Sequence, residues 1–308
     1  MKKVSVVISC FNSAKTIPEL IERLNVVIND LTDYVFEFVF VDDGSSDETN
    51  QLLVQYSKKE KAPFVIIKFE KNYGQIAAIL AGLKYASGDA SIIMSSDMQD
   101  PPELITTFVS EWEKGNDLVG AERIKREDPI IRSVGSWFWY NMVLRKIIPN
   151  MPLGGSDYAL ISKKISDNLV ANSANMRFLQ AEIIKYAKKI TYIPYKRGKI
   201  KQNRPSGWSF FKLLGHLLDT SFLHLEMRFP FIVFHCLIAI INGLIFWLHA
   251  NGNVSFQYWI FCLFTSLILT IFFDTIILLE GLKRIIRSLN TAHLYTIESI
   301  VRTDINEK

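Results

Sequence analysis

The sequence predicts an α/β fold, with a mostly parallel, doubly wound sheet followed by a membrane anchor. Three observations carry that expectation. Strand-like apolar runs alternate with segments of helical spacing from the N-terminus to about Ala121. Two of those runs end in clusters of side-chain oxygens, V-D-D-G-S-S-D at Val41–Asp47 and S-S-D-M-Q-D-P-P-E at Ser95–Glu103. Two long stretches near the C-terminus carry almost no charge.

The elements follow in order. Val4–Ser9 is a β-branched run, and Pro18–Leu31 has helical spacing through Leu20, Ile21, Leu24, Val27 and Ile28. Phe36–Val41 is a second strand, followed by a helix from about Asp47 that Ser45 or Ser46 is placed to cap. Phe64–Phe69 is a third strand, Gln75–Ala86 a helix closed by Gly88, and Ala90–Met94 a fourth strand. Pro102–Lys114 is helical and Asp117–Ala121 extended. Alternation at this interval implies parallel strands with the ligand at their carboxyl ends. A dinucleotide-binding dehydrogenase shares the pattern, but the first turn, S-C-F-N-S-A-K, lacks the G-x-G-x-x-G that lets a pyrophosphate approach the helix.

Apolar residues make up 49% of the 308 and are concentrated near the C-terminus. Phe229–His249 is 21 residues without Lys, Arg, Asp or Glu, and Phe256–Leu279 is 24 residues whose one charge is Asp274. At ~1.5 Å per residue each helix spans roughly 30 Å of hydrocarbon. The Ala250–Ser255 loop carries no Lys or Arg, while Arg228, Lys283, Arg284 and Arg287 flank the pair. Positive-inside bias then puts both termini in the cytoplasm. The N-terminus reads as a strand rather than a signal peptide. Cys10, Cys236 and Cys262 form no disulfide or zinc spacing. Two spans with Asp274 as their one acidic residue offer no conduction path, which argues against a pore.

Lys185–Arg204 holds eight basic residues and no acidic one. It leads into Trp208, Phe211, Leu214, Leu218, Phe222 and Leu225, spaced as on a helix lying along a bilayer. The basic residues are therefore expected to meet lipid phosphates rather than nucleic acid. At Ser95–Glu103, Asp97 and Gln99 stand two residues apart at the end of a strand. Such oxygens suit a hard divalent cation that keeps positions open for phosphate; an ordinary acidic strand-to-helix turn is the plainer alternative.

The motifs V-V-I-S-C-F-N at Val6–Asn12, V-D-D-G-S-S-D at Val41–Asp47, N-Y-G-Q-I-A-A-I-L-A-G-L-K-Y-A-S-G-D at Asn72–Asp89 and S-S-D-M-Q-D-P-P-E occur in one order over nearly the whole chain. With the amphipathic stretch and paired spans, the chain resembles family 2 inverting glycosyltransferases of the GT-A fold. More narrowly, it resembles bacterial polyprenyl-phosphate glycosyltransferases related to dolichyl-phosphate mannose synthase. That resemblance implies that Asp43, together with Asp42, holds the uracil and ribose of a nucleotide sugar, commonly UDP-linked, with backbone at Cys10 and Asn12. It implies that Asn72, Gly74 and Gln75 approach the nucleotide, and that Asp97 and Gln99 take Mg²⁺ or Mn²⁺. Ser95 stands where the family's D-x-D-x-Q pattern has its first Asp and brings no charge. Arg123 and Arg126 are the nearest matches to a G-x-R-x-x-R pattern, and with Arg132 they are expected to bind phosphate. Asp157 matches the Asp of a G-D-F-R-L segment, with Ala159 in place of its Arg, and is the expected acceptor-side carboxylate.

The implied reaction is a single-displacement transfer from a nucleotide sugar to a polyprenyl phosphate at the bacterial plasma membrane. A transferase that extends a lipid-linked glycan through a hydroxyl is the second reading, and a catalytically silent scaffold a third. The expected division is a GT-A catalytic domain at 1–205, an amphipathic helix at 206–228, a two-helix hairpin at 229–282 and a cytoplasmic tail at 283–308. The reading leaves room for a homo-oligomer.

Overall fold

The structure, a computed structural model, describes residues 1–124, 150–152, 156–173, 176, 179–196, 228–289 and 294–303. Two compact units result, one of Met1–Gly207 with His293–Lys308 and one of Trp208–Ala292.

The first unit is built on an eight-stranded sheet of order β7-β5-β6-β4-β1-β2-β3-β8. Its strands are β1 (Lys2–Cys10), β2 (Tyr34–Asp42), β3 (Phe64–Phe69), β4 (Ala90–Ser95), β5 (Leu118–Arg123), β6 (Ala159–Ser162), β7 (Ile190–Tyr195) and β8 (Ile297–Thr303). Helices α1 (Ile17–Asn29), α2 (Thr49–Ser57), α3 (Gln75–Tyr85), α4 (Leu104–Glu113), α5 (Lys163–Ala171) and α6 (Leu179–Tyr186) cover its faces. The pairs β1–β2, β1–β4, β2–β3 and β5–β7 are parallel, whereas β6 and β8 run antiparallel to their neighbours. Two apolar clusters lie on opposite faces, one holding Val4, Val6 and Ile8 of β1 and the other holding Val7. A strand buried on both faces reads as a continuous apolar run, as V-S-V-V-I-S does.

The sequence-expected elements up to β5 are all present, within a few residues at their ends. The cap of α2 differs. Its N-cap residue is Glu48, which makes no side-chain cap bond. Instead Asp47 accepts from the Thr49 N–H at 3.1 Å, while the Ser45 hydroxyl is spent on the Asn12 N–H.

Three strands were not expected. β6 lies within the segment read for its Asp. β7 lies inside the basic Lys185–Arg204 run; it is the outermost strand, which tolerates Pro194. β8 lies in what the sequence reading leaves as a tail from 283. There, helix α8 (Phe256–Leu289) runs past 282, and the chain then rejoins the sheet against β3. Its register is fixed by Lys68–Glu298 at 2.8 Å and by the Phe64 N–H donating to Thr303 Oγ1 at 3.0 Å. It closes an edge that would otherwise present unpaired backbone. The amphipathic stretch Trp208–Leu225 lies outside the described residues.

At the amino ends of the strands, away from the carboxylate turns, Glu37 is 3% exposed. It pairs with Lys3 Nζ at 2.7 Å and accepts from the Ser87 N–H at 2.6 Å and the Ser5 hydroxyl. Burial alone pushes this carboxyl up, but the bonds from Lys3, Ser5 and Ser87 outweigh it and hold it below the usual range. A depressed folded pKa contributes stability that is full above the unfolded value of about 4.3 and lost as pH falls through the folded value. Glu37→Gln is therefore expected to cost about 2 kcal/mol at pH 7, with the gap to wild type closing in acid. Urea unfolding at several pH values checks it; a gap that persists in acid would contradict the charge assignment.

The second unit contains α7 (Arg228–Ala250) and α8. Phe256–Ile276 of α8 is long and apolar enough to cross a membrane; the described apolar stretch of α7, Phe234–Ala250, is shorter. One of the two expected spans therefore stands among the described residues. Phe234 stacks on Phe273 at 4.1 Å, His249 on Trp259 at 5.6 Å, and Asn242 donates to Ser266 Oγ at 3.0 Å. His235 Nε2 lies 3.5 Å from Asp274, which gives the one acidic residue of the stretch a neighbour.

Candidate active site

The chain winds from β1 through β2 to β3 on one side and returns to β4 on the other side of β1. The topological switch point thus falls between β1 and β4, where open α/β sheets bind ligands. Cys10 pairs with Asp42 across β1–β2, and Ser9 with Ser95 across β1–β4. The turns after β1, β2 and β4 therefore start level with one another.

Side chains tie these turns together. Asn12 accepts from the Ser46 N–H at 2.8 Å, and its own N–H donates to Ser45 Oγ at 2.8 Å. The Ser13 and Ser96 hydroxyls are 2.7 Å apart, joining the β1 turn to the β4 turn. Among the described residues, Asn12 (φ 50°) and Met98 (φ 61°) are the non-glycine residues with positive φ. Both lie in these turns. A left-handed methionine costs energy, and such strain clusters at functional sites. It folds Asp97 back so that its Oδ1 accepts the Gln99 N–H at 3.0 Å.

The two adjacent carboxylates divide their work. Asp43 accepts the Tyr73 N–H at 2.7 Å and the Gly74 N–H at 2.9 Å, so it shapes the β3–α3 turn. Asp42 accepts the Ser45 N–H through Oδ1, but its buried Oδ2 has no hydrogen-bond partner among the described residues. Burial, ahead of all other influences, raises both carboxyls above the usual range. An orphaned buried oxygen is costly; Asp42 is 0% exposed, so this unmet acceptor capacity lies inside the turn, and an incoming N–H reaches it only if the turn shifts.

The expected backbone at Cys10 and Asn12 is engaged within the protein, since Cys10 O accepts the Asp43 N–H at 2.8 Å. Gly74 has φ 94° with open space where a Cβ would stand. The close approach is made by Gly44, which the sequence reading passed over. A Cβ there would lie 2.4 Å from the Lys71 carbonyl carbon, at φ 68°. Gly44 thereby lets the β2 and β3 turns meet.

Asp42→Asn removes a buried charge and keeps an oxygen for Ser45. It is expected to leave the thermal midpoint unchanged or slightly raised while weakening nucleotide binding by about tenfold, the worth of one bond to a charged group. Calorimetric titration with UDP alongside thermal melts checks both halves.

The residues expected on the acceptor side form a second cluster. Arg123, at the end of β5, pairs with Asp157, whose other oxygen accepts from Gln180 Nε2. Tyr195 stands opposite Arg123 in the β5–β7 register, and its hydroxyl donates to Asp100 Oδ1 at 2.5 Å. Burial pushes the Tyr195 phenol up, with the Asp100 charge next. Asp100 is 1% exposed and belongs to this network through Tyr195; Asp97 and Gln99 are the residues of this turn expected to meet a cation. Gly120 makes room for the cluster: a Cβ there would meet Ser156 Oγ at 2.5 Å and the Tyr192 ring at 2.7 Å. Arg126 and Arg132 lie outside the described residues. Sequence reasoning missed Gln180, Tyr195 and Gly44; the aromatic and β-branched run I-T-Y-I-P-Y was the available signal for Tyr195.

Among the described residues no three His, Cys, Asp or Glu side chains cluster as a metal cage. The donor set of the turn, one carboxylate (Asp97) and one amide (Gln99, 8% exposed), is of the kind that suits a cation shared with substrate phosphates.

Residues 5–170 match the family described as Glycosyl transferase family 2. An undecaprenyl-phosphate 4-deoxy-4-formamido-L-arabinose transferase of Salmonella choleraesuis (strain SC-B67) is 32% identical over 219 residues, covering 71% of this chain and 66% of that protein. The protein of the same name from Salmonella paratyphi B (strain ATCC BAA-1250 / SPB7) aligns with the same identity and shares. The chain thus spans just under two thirds of the length of these relatives. Among solved structures, glucosyl-3-phosphoglycerate synthase from Mycobacterium tuberculosis with Mn²⁺, UDP-glucose and phosphoglyceric acid aligns with a TM-score of 0.48 at 18% identity, covering 71% of this chain and 76% of that one. Mannosyl-3-phosphoglycerate synthase from Rubrobacter xylanophilus aligns with a TM-score of 0.47 at 13% identity, covering 82% and 76%.

Proposed function

The chain belongs to glycosyl transferase family 2, and on that premise we propose that it is a membrane-bound inverting transferase that moves a sugar from a nucleotide sugar to a polyprenyl phosphate. The observation that carries this reading is that Asp42, with its unpaired oxygen, and the strained Asp97–Gln99 turn stand at the carboxyl ends of β2 and β4, the two strands that flank β1. The relatives named for undecaprenyl phosphate support the lipid acceptor.

Asp42 receives an N–H of the base, UDP being the expected nucleotide, and Asp43 holds the turn of Asn72 and Gly74 against it. Ser95 offers a hydroxyl toward the ribose. Asp97 and Gln99 would hold a divalent cation, Mg²⁺ or Mn²⁺, which would supply positive charge to offset the charge developing on the departing nucleotide. The acceptor attacks the anomeric carbon from the opposite face. A phosphate monoester, with a second pKa near ~6, arrives largely anionic and needs no base. Asp157, with both oxygens engaged by Arg123 and Gln180, suits positioning better than proton abstraction. That favours a lipid phosphate over a sugar hydroxyl.

The helices α7 and α8 serve as a two-span anchor. The chain leaves the first unit before them and rejoins its sheet as β8 after them. If both cross the bilayer, donor site and termini share one face, expected to be the cytoplasmic one. Gly252→Cys, with the three native cysteines replaced by Ser, is expected to react with an impermeant thiol reagent from outside intact cells; protection of that cysteine would reverse the orientation.

The decisive assay supplies membranes with radiolabelled nucleotide sugars and polyprenyl phosphate. An acid-labile lipid-phosphate sugar is the expected product. A stable glycosidic product would favour the hydroxyl-extending transferase, and no product with any donor would favour the silent scaffold.

A further inference from the structure

The segment that follows the two long helices reaches the nucleotide-binding side of the sheet. Tyr295, just ahead of β8, stacks on Phe69 with ring centroids 4.8 Å apart and planes 16° apart. Phe69, the last residue of β3, meets the Tyr73 ring edge-on at 5.6 Å. Tyr73 and its neighbour Gly74 donate their backbone N–H groups to the two oxygens of Asp43. At the same corner the Glu70 N–H donates to Thr296 O at 3.3 Å, and Ile297 pairs with Phe69. An unbroken line of contacts thus runs from a residue beyond the helices to the turn beside Asp42 and Asp43.

The physical content of that line is order in a short loop. Residues 70–74 join β3 to α3, and Asn72 is exposed. Asp43 holds the loop from one side. On the other, Phe69 is fully buried, with Tyr295 stacked on its ring and Tyr73 set edge-on against it. Aromatic pairs at these separations contribute about 0.5–1.5 kcal/mol beyond their area. Removing Tyr295 leaves the Phe69 ring one-sided and frees Tyr73 to swing with it.

We propose that Tyr295 is a positioning residue for the donor site. By bracing Phe69 and Tyr73 it holds the Tyr73–Gly74 turn on Asp43, so the site is complete only when the segment beyond the helices has docked on β3. This rests on the reading of that turn as part of the nucleotide-sugar site.

The test has one readout free of that reading and one that depends on it. In full-length protein in detergent, amide hydrogen exchange of Tyr73 and Gly74 is compared for wild type, Tyr295→Ala, Tyr295→Leu and Tyr295→Phe. The Ala and Leu variants are expected to exchange at these two amides about fivefold to tenfold faster, with Ser45 and Ser46 amides unchanged, and Phe is expected to restore protection. The Leu variant keeps apolar volume, so it reports on the stack if Ala unfolds β8. Equal protection in wild type and Leu, or a Phe variant as fast as Leu, overturns the proposal.

In the transfer assay, Leu is expected to raise KM for the nucleotide sugar about fivefold, with kcat and the KM for lipid within twofold of wild type. A fall in kcat alone, or an equal rise in both KM values, also overturns it. Faster exchange with an unchanged donor KM, together with an Asp42→Asn variant that binds nucleotide normally, would keep the brace but sink the donor-site reading.

Discussion

Asp97→Asn is expected to lower kcat by about three orders of magnitude, since a cation on developing leaving-group charge is worth several kcal/mol and each ~1.4 kcal/mol is tenfold. Ser95 brings no charge and Asp100 accepts the Tyr195 hydroxyl, so on the proposed reading Asp97 is the carboxylate that meets the cation. The fold is expected to survive. Asp97 is partly exposed, and an asparagine oxygen can still accept the Gln99 N–H. The measurement is turnover at saturating Mg²⁺ or Mn²⁺ beside a thermal melt. Undiminished turnover would remove the cation from Asp97, and a collapsed melt would make the residue structural.

Arg123→Ala is expected to lower kcat/KM for the lipid acceptor by about 10²-fold, the order of a lost charge-assisted pair that is partly buried. It removes a guanidinium that is 17% exposed and leaves the Asp157 carboxylate without its cation. Asp157→Asn keeps an oxygen for Arg123 and an amide beside Gln180, so a loss below tenfold is expected. A true general base would cost 10²–10⁴-fold. The double variant should be little worse than Arg123→Ala alone, because paired residues act as one unit. A thousandfold loss in Asp157→Asn with Arg123→Ala near wild type would replace the lipid-phosphate acceptor with a sugar hydroxyl.

The sheet's parallel half was readable because its strands are buried on both faces and its helices keep a clean apolar stripe. The oxygen clusters were readable because they follow strands directly. What escaped depends on contacts distant in sequence. Ile297–Thr303 is half-exposed, with Glu298, Ser299 and Arg302 breaking its apolar run, so it becomes a strand only when it finds the open edge of β3. Tyr195 sits in the middle of a basic stretch, and nothing local reveals that it faces Arg123 and Asp100. The division of labour between Asp42 and Asp43 was equally hidden. Both follow the same strand, and only the return of the Tyr73–Gly74 amides distinguishes them. Gly44 looked like an ordinary turn glycine, and its importance lies in a neighbour twenty-odd residues away.

The position of β8 also bears on how the molecule is made. Its pairing edge on β3 is synthesised early, and its own residues only after α7 and α8. A nascent chain therefore carries an open row of β3 backbone donors and acceptors throughout the interval in which the helices are produced. Such edges recruit other strands. Biogenesis must shelter that edge until the last strand arrives, and the fragment 1–207 made alone would keep it permanently bare. A soluble version of this domain would need the Tyr295–Thr303 segment grafted back by a linker in place of the helices.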